Sequence, residues 1–406
     1  MNMSSDHPDS RPRPLQGVRV LDFTSMMAGP YATRYLADLG AEVLKVEPAE
    51  GDYIRQRLPL REGYSAYFSH LNAGKRSIVL DLKHPAGIQA AKELAAHCDV
   101  LVEAFRPGVM KRLGLDPVAL MAAHPRLIVC SVSGFGQSGP ASQRPAYAQI
   151  VQAESGYELA FANYQDNAER PANTAIFFAD VLGGTFAFSG ILAALNQRHI
   201  TGRGQWVDST LMESMLNLMP YEVQEAQFPA AKRRPVYPPF RTLDGYLMIA
   251  AVNPRNFEAL LDAIGVSGWR EDSRMKSDAA RQANWGDVMA EVEAWTCQRQ
   301  AAECERLLAQ AGVPVTVYRT VREALSDAQF AHRGSLATVQ DGGGVHRVPN
   351  LPYRMSQSRV EVGDRTPNLG EHTSQVLSEL LGYTDDQIRR AQHGDAPIPG
   401  DGHSTP

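Results

Sequence analysis

Cysteine is scarce in this chain: there are four, Cys98, Cys130, Cys297 and Cys304, none at CxxC spacing or beside paired histidines. That argues against a zinc ribbon or a disulfide framework and points to a reducing cytoplasm. Basic residues are not massed anywhere, and a formal charge of −5 with a pI near 6.1 leaves no electrostatic footprint for nucleic acid. The opening MNMSSDHPDSRPRP lacks the apolar core of a signal peptide. It reads as a disordered tail over 1–13, and the polar end of the chain as a mobile tail over 396–406. No P-loop lysine and serine are present, and Ser131, Ser133 and Ser138 lie outside any G-x-S-x-G elbow. None of the 11 histidines sits in a recognisable metal or triad motif. Nucleoside triphosphate hydrolysis, serine-hydrolase chemistry and a resident metal therefore have no support.

Long apolar runs are also few, and the exception is informative. TAIFFADVLGGTFAFSGILAAL carries Asp180 as the only ionisable residue between Asn173 and Asn196. About 20 apolar residues suffice to span a bilayer, but the central carboxylate, the Gly183-Gly184 pair, Thr185, Ser189 and the lack of a second such run argue against a membrane. An unpaired buried carboxylate costs several kcal/mol or more. From this segment alone, a structural carboxylate and a catalytic one are equally supported.

What is abundant is alternation. VRVLDF (18–23), AEVLKVE (41–47), SIVLDL (77–82), DVLVEAF (99–105) and LIVCSVS (127–133) read as strands, with helices over 30–39, 85–97 and after Pro107. Prolines open these helices and Gly40 closes the first. The pattern predicts a doubly wound α/β domain. Gly202 and Gly204 make a turn before a short strand and a helix over 211–219. A proline-rich linker at 229–240, a strand within 242–252 and helices over 256–264, 285–295 and 301–311 predict a smaller α+β domain. The amphipathic stretch 371–382 is expected to return to the first domain. The division is thus 14–225 and 336–395 for a large domain and 226–335 for linker and small domain.

The turn after the first strand, TSMMAGP, holds one glycine. Without G-x-G-x-x-G the turn lacks the phosphate loop of a nicotinamide cofactor site, although backbone amides at the helix start can still meet an anion. Arg55, Lys75, Arg76, Arg106, Lys111 and Arg112 recur at strand ends and, as a group, suit several phosphates. GFGQSGP (134–140) supplies a flexible loop directly after a strand, suited to act as a lid.

Taken together, PLQGVRVLDFT, AGP, LADLGAEVLKVEP with GD after it, LNAGKRSIVLDLK, VLVEAFRPGVMKRLGL, SGFGQSGP, GILAALNQR, GRGQWVD and NLGEHTSQVLSELLG resemble the family III CoA-transferases of the CaiB/BaiF type, the formyl-CoA and carnitine CoA-transferase group. The resemblance runs from Pro14 to Gly382. It implies a Rossmann-like large domain, a smaller domain, and an interlocked, ring-through-ring homodimer. It implies that Asp180 attacks an acyl-CoA thioester to form an acyl-aspartyl anhydride, then an aspartyl-CoA thioester, from which CoA passes to an acceptor carboxylic acid. CoA thioester is a substrate on this reading, and no tightly bound cofactor or metal is expected. Motif matching places Met27 and Ala28 against CoA, Asn72, Lys75, Phe105, Arg106 and Arg112 on its adenine and phosphates, Tyr147 at the active site, and Gly134, Gly136 and Gly139 as a shield for intermediates. Met27 stands where the formyl-CoA branch has glutamine, Ala148 where it has an acid, and Ala104 where asparagine is frequent, which argues against a small formyl or oxalyl group. Alternatives on the same fold are a 2-methylacyl-CoA racemase and an intramolecular CoA-shifting isomerase. A phenol, ionising near pH 10 in water, is a poor general base at neutrality, which ranks the racemase second.

Overall fold

Proline- and glycine-bounded helices alternate with short β-branched strands to build a six-stranded parallel sheet, as the sequence pattern predicts. The structure, a computed structural model, describes residues 11–165, 169–229, 236–275 and 277–395. Most of the expected first tail, the whole of the second and the middle of the expected linker lie outside the described residues.

The chain divides into two compact units, Met1–Val223 with His332–Pro406, and Gln224–Ala331. The first contains β1 (Arg19–Asp22), α1 (Ala28–Asp38), β2 (Glu42–Glu47), a 3₁₀ turn (Tyr53–Gln56) and the small hairpin β3 (Leu60–Arg61) and β4 (Tyr64–Ser65). Then follow α2 (Ala66–Asn72), β5 (Arg76–Val79), α3 (Pro85–Ala96), β6 (Val100–Glu103), α4 (Val109–Arg112), α5 (Pro117–Ala123) and β7 (Ile128–Ser133). After these come α6 (Ala148–Glu154), α7 (Tyr157–Ala162), α8 (Phe178–Thr201), β8 (Trp206–Thr210), α9 (Leu211–Leu218) and α10 (Pro220–Gln227), in which the first boundary falls.

The second unit holds an antiparallel sheet of β9 (Phe240–Arg241), β10 (Tyr246–Ile249) and β11 (Val315–Val317) in the order β11-β10-β9. Between its strands lie α11 (Pro254–Ile264), α12 (Asp278–Ala283), α13 (Trp285–Thr296) and α14 (Ala301–Gln310), and α15 (Val321–Leu325) follows β11. Phe240, Leu247, Phe257, Leu261, Val292 and Leu308 share its core. The chain leaves this unit through α16 (Ala328–Arg333) and continues as the hairpin β12 (Leu336–Asp341) and β13 (Gly344–Pro349), then α17 (Thr373–Leu381) and α18 (Asp385–His393). Helix α17 packs on α3 and β5.

The large sheet runs β5-β2-β1-β6-β7-β8, every pair parallel. Side chains alternate across it, as a strand's two-residue period requires. Val20, Val43 and Val100 face a core shared with α1 and α8, while Leu21, Leu44 and Leu101 face one shared with α3, α17 and α18. Both faces are covered, which explains why the strands read as near-continuous apolar runs.

The expected helix after Pro107 is only the single turn of α4. Gly108 at φ +82° starts it and Gly114 at φ +74° follows its end, both left-handed positions that interrupt a helix. Helix α8 is the one helix among the described residues long and apolar enough to cross a membrane. Here Gly183, Gly184, Ala187, Ile191, Ala194 and Leu195 are buried, and the helix packs on α1, β7, β8 and α9.

Candidate active site

Strand order reverses between β1 and β6: β2 and β5 lie on one flank, β7 and β8 on the other. Loops leaving the carboxyl ends of two such strands open a crevice between them. Three of the segments picked out by sequence leave adjacent strands there, Met27–Ala28 after β1, Phe105–Arg106 after β6 and Gly134–Gly139 after β7.

The β1–α1 turn is held from below by charge. Asp22, at the end of β1, accepts from the Thr24 backbone N–H (2.9 Å), the Thr24 and Thr33 hydroxyls (2.5 and 2.7 Å) and Lys75 Nζ (3.0 Å). Burial alone would raise the Asp22 carboxyl, but Lys75, Lys45 and the two hydroxyls outweigh it and hold it below the usual carboxylate range. Lys75 also donates to Thr33 Oγ1 (2.7 Å), Asn72 Oδ1 (2.9 Å) and the Pro30 carbonyl (3.2 Å). Lys45 bonds the Thr24 carbonyl and Asp52 (both 2.9 Å). Above this network Met26 takes φ +66°, a left-handed conformation that strains a residue with a Cβ. No side chain caps α1, so the amides of its first turn are left for another partner.

Asp180 lies in the first turn of α8. The next turn carries Gly184, where a Cβ would lie 2.5 Å from the Ala28 carbonyl oxygen and 2.9 Å from Tyr31 Cβ. That close crossing sets the second turn of α8, one turn beyond Asp180, against the start of α1. Gly184→Val is expected to push the helices apart and cost about 1–3 kcal/mol, read from the denaturant midpoint.

Asp180 is half-buried, and among the described residues no hydrogen bond or ion pair engages its carboxylate. A helix N-terminus favours an anion. Desolvation wins nonetheless and pushes the carboxyl up to about 6. Tyr67 on α2 senses the same charge. Burial first, then Asp180 and Asp52, raise its phenol to about 12, while Arg57 acts in the opposite sense. Tyr67 packs with Met26, Met27 and Tyr31 against Ile54, Phe68 and Leu71. Tyr67 thus packs beside Met27 and feels the Asp180 charge, and it was not among the residues picked out by sequence. Nothing local marks it, because its role depends on a helix more than a hundred residues away.

The structure places the other expected residues unevenly. Asn72 and Lys75 are buried, with every Lys75 partner internal, so they support the turn from beneath instead of presenting donors to a ligand. Arg55 is bidentate to Glu47 (2.7 Å to each oxygen) and stacked 3.9 Å over Phe68, and Arg76 is paired with Glu42. Lys111 lies 3.8 Å from Asp116. The expected basic group therefore narrows to Arg106 and Arg112, both exposed and without an acid partner among the described residues.

Phe105 is half-buried, and its backbone N–H donates to Glu103 (2.8 Å). Burial and the nearby Asp208 push the Glu103 carboxyl up to about 7 against the bonds from Ser131 and Phe105. The glycine loop is pinned at its base. Gly136 N–H donates to Ser133 Oγ and Gln137 N–H to Asp208 Oδ2 (both 2.9 Å), while Gly136 and Gly139 take φ near +90°. Residues 138–140 are exposed beyond those anchors. Tyr147 caps the backbone start of α6 and is 64% exposed. Its helix reaches the site through Gln152, whose Oε1 accepts from the Ala179 N–H at 3.4 Å. Among the described residues no cluster of His, Cys, Asp and Glu could hold a metal ion.

A family model described as CoA-transferase family III matches residues 15–373. Succinyl-CoA:glutarate CoA-transferase of Mus musculus is 33% identical over 390 residues, covering 93% of this chain and 89% of its own length. Succinyl-CoA--D-citramalate CoA-transferase of Chloroflexus aurantiacus is 34% identical, covering 96% and 99% respectively. Among solved structures, a CAIB/BAIF family protein from Brucella suis superposes with a TM-score of 0.79 at 31% identity, covering 91% of this chain and 100% of that one.

Proposed function

The chain belongs to CoA-transferase family III and is a CoA-transferase, and from that premise we propose that it moves CoA from an acyl-CoA to a dicarboxylic acid with Asp180 as covalent carrier. The observation that supports this reading is that Asp180, half-buried and unpaired among the described residues, stands in the first turn of α8, a helix packed on α1, whose start no side chain caps. The dicarboxylic acceptor is supported by the relatives, whose names specify glutarate and citramalate.

The chemistry closes without proton or electron input. An Asp180 oxygen attacks the thioester carbonyl, the carbon–sulfur bond breaks, and CoA leaves as thiolate from an acyl-aspartyl anhydride. The thiolate attacks the aspartyl carbonyl and expels the donor acid, leaving an aspartyl-CoA thioester. The acceptor carboxylate attacks that thioester to form a second anhydride, and the thiolate then attacks its acyl carbonyl, giving new acyl-CoA and free Asp180. Weak solvation suits the nucleophile, and excluding water protects both anhydrides from hydrolysis. In this proposal the loop bearing Gly134, Gly136 and Gly139 provides that exclusion. Met27 and Ala28 line the thioester, Phe105 the adenine, and Arg106 and Arg112 the phosphates. Asn72 and Lys75 hold the turn, and Tyr147 stands at the rim.

The proposal includes a homodimer of interlocked subunits, checked by light scattering, and a large and a small domain corresponding to the two compact units. A reducing cytoplasm is supported by the four cysteines standing as free thiols.

Incubation of a 2-methylacyl-CoA in deuterium oxide tests the reaction class. CoA transfer should require an added acid and leave the α-hydrogen unexchanged. Exchange without any acceptor would favour a racemase, and CoA migration within one dicarboxylic acid an isomerase. A second expectation concerns pH. Because only the ionised carboxylate attacks, acyl-enzyme formation should fall about tenfold per unit below pH 6 and level off above it. Rapid-quench rates from pH 4.5 to 8 check this, and a flat profile would contradict it.

A further inference from the structure

Arg57 follows the 3₁₀ turn Tyr53–Gln56, in extended backbone at φ −85° and ψ 142°. Its guanidinium lies 4.5 Å over the Tyr53 ring and the residue is exposed. No carboxylate pairs with it among the described residues. Its neighbours on the surrounding elements are all committed: Arg55 to Glu47, Arg34 to Asp38, Lys45 to Asp52, Lys75 to Asp22 and Arg61 to Asp341. Two arginines two positions apart thus have different fates, one locked in the fold and the other held open on an aromatic ring.

The surroundings position that open charge. Asp52 accepts from the Ile54 N–H at the start of the 3₁₀ turn and from the Met26 N–H (3.4 Å), which ties the turn to the β1–α1 loop. Ile54 packs in the cluster that includes Tyr67, Met26 and Met27. The charges of Asp180 and Arg57 act on the Tyr67 phenol in opposite senses, Asp180 raising it and Arg57 lowering it. Burial raises the Asp180 carboxyl. The turn that carries Arg57 thus packs, through Ile54, beside Tyr67 and the Met26–Met27 loop.

We propose that Arg57 is the receptor for the second carboxylate of a dicarboxylic substrate, and so a determinant of the acceptor class, while the reacting carboxylate meets Asp180. This rests on the transferase reading of Asp180 given above. A guanidinium prefers a planar, bidentate anion. Stacking on Tyr53 orients it in advance and lowers the ordering cost of binding. A monocarboxylic acid of the same length would place an alkyl end at Arg57 and leave its charge unused.

The test uses full-length protein with acetyl-CoA as donor and two acids of equal chain length, glutarate and valerate. In the Arg57→Gln variant the ratio of kcat/KM for glutarate to that for valerate should fall by about 10- to 100-fold, the range for a lost charge-assisted pair. Arg57→Lys should restore part of the ratio, and the KM for acetyl-CoA should not move. An unchanged ratio overturns the proposal. So does a raised KM for acetyl-CoA with an unchanged ratio, which would assign Arg57 to a phosphate of CoA. Calorimetric titration of the two acids separates this proposal from the covalent mechanism. If no acid supports turnover, the transfer reading fails, but wild-type protein should still bind glutarate more tightly than valerate and Arg57→Gln should erase the difference. Equal binding of both acids by wild type overturns the proposal.

Discussion

Asp180→Asn is expected to reduce CoA transfer about ten-thousandfold or more, because the amide keeps the shape of the side chain but cannot form the anhydride. The same substitution should leave the fold intact and slightly more stable at neutral pH. In the folded protein burial pushes the Asp180 carboxyl up to about 6, above its ordinary 3.8, so the folded state binds this proton more tightly than the unfolded chain. The penalty for ionising it is absent below about pH 4, grows as pH rises through 4 to 6, and is fully present above. Removing the charge should therefore return on the order of 1–2 kcal/mol at pH 7, after discounting for partial exposure, and nothing at pH 3.5. Turnover with acetyl-CoA and glutarate, together with denaturant midpoints at the two pH values, checks both halves. A variant that is inactive because it is unfolded would show a lowered midpoint instead.

Lys75→Met should be the most damaging substitution to stability, at about 3–5 kcal/mol. It removes the ammonium that bridges Asp22, Thr33, Asn72 and the Pro30 carbonyl, and it leaves a carboxylate with no exposed surface short of its closest countercharge. Because this network carries the strained turn at Met26, transfer should fall along with the midpoint. The double variant Asp22→Asn with Lys75→Met should recover part of the loss, since the uncompensated charge, more than the missing ion pair, is the cost. Urea titrations of the two single variants and the double variant measure that coupling, and strict additivity would contradict the account.

Much of the frame was legible because it follows local rules. Strands β1, β2, β5, β6 and β7 are β-branched runs bounded by turn residues, and Pro85 and Gly40 mark helix ends where the structure has them. Asp180 stood out because a carboxylate in a long apolar stretch needs an explanation wherever the stretch ends up. What stayed hidden depends on neighbours distant in sequence. Lys75 reads as a surface cation until Asp22, Thr33 and Asn72 close around it. Arg55 and Arg57 look equivalent in sequence, and only Glu47 on β2 and Phe68 on α2 set them apart. Tyr67 gains its significance from α8, and the 3₁₀ turn that aims Arg57 carries no periodic signal at all.

Peptide mapping by mass spectrometry after treating the protein with acyl-CoA and hydroxylamine tests the central claim most directly. Covalent carriage predicts a hydroxamate on Asp180 that appears only when acyl-CoA is present and is absent from Asp180→Asn. A protein that turns over under the same conditions with Asp180 unlabelled would contradict it.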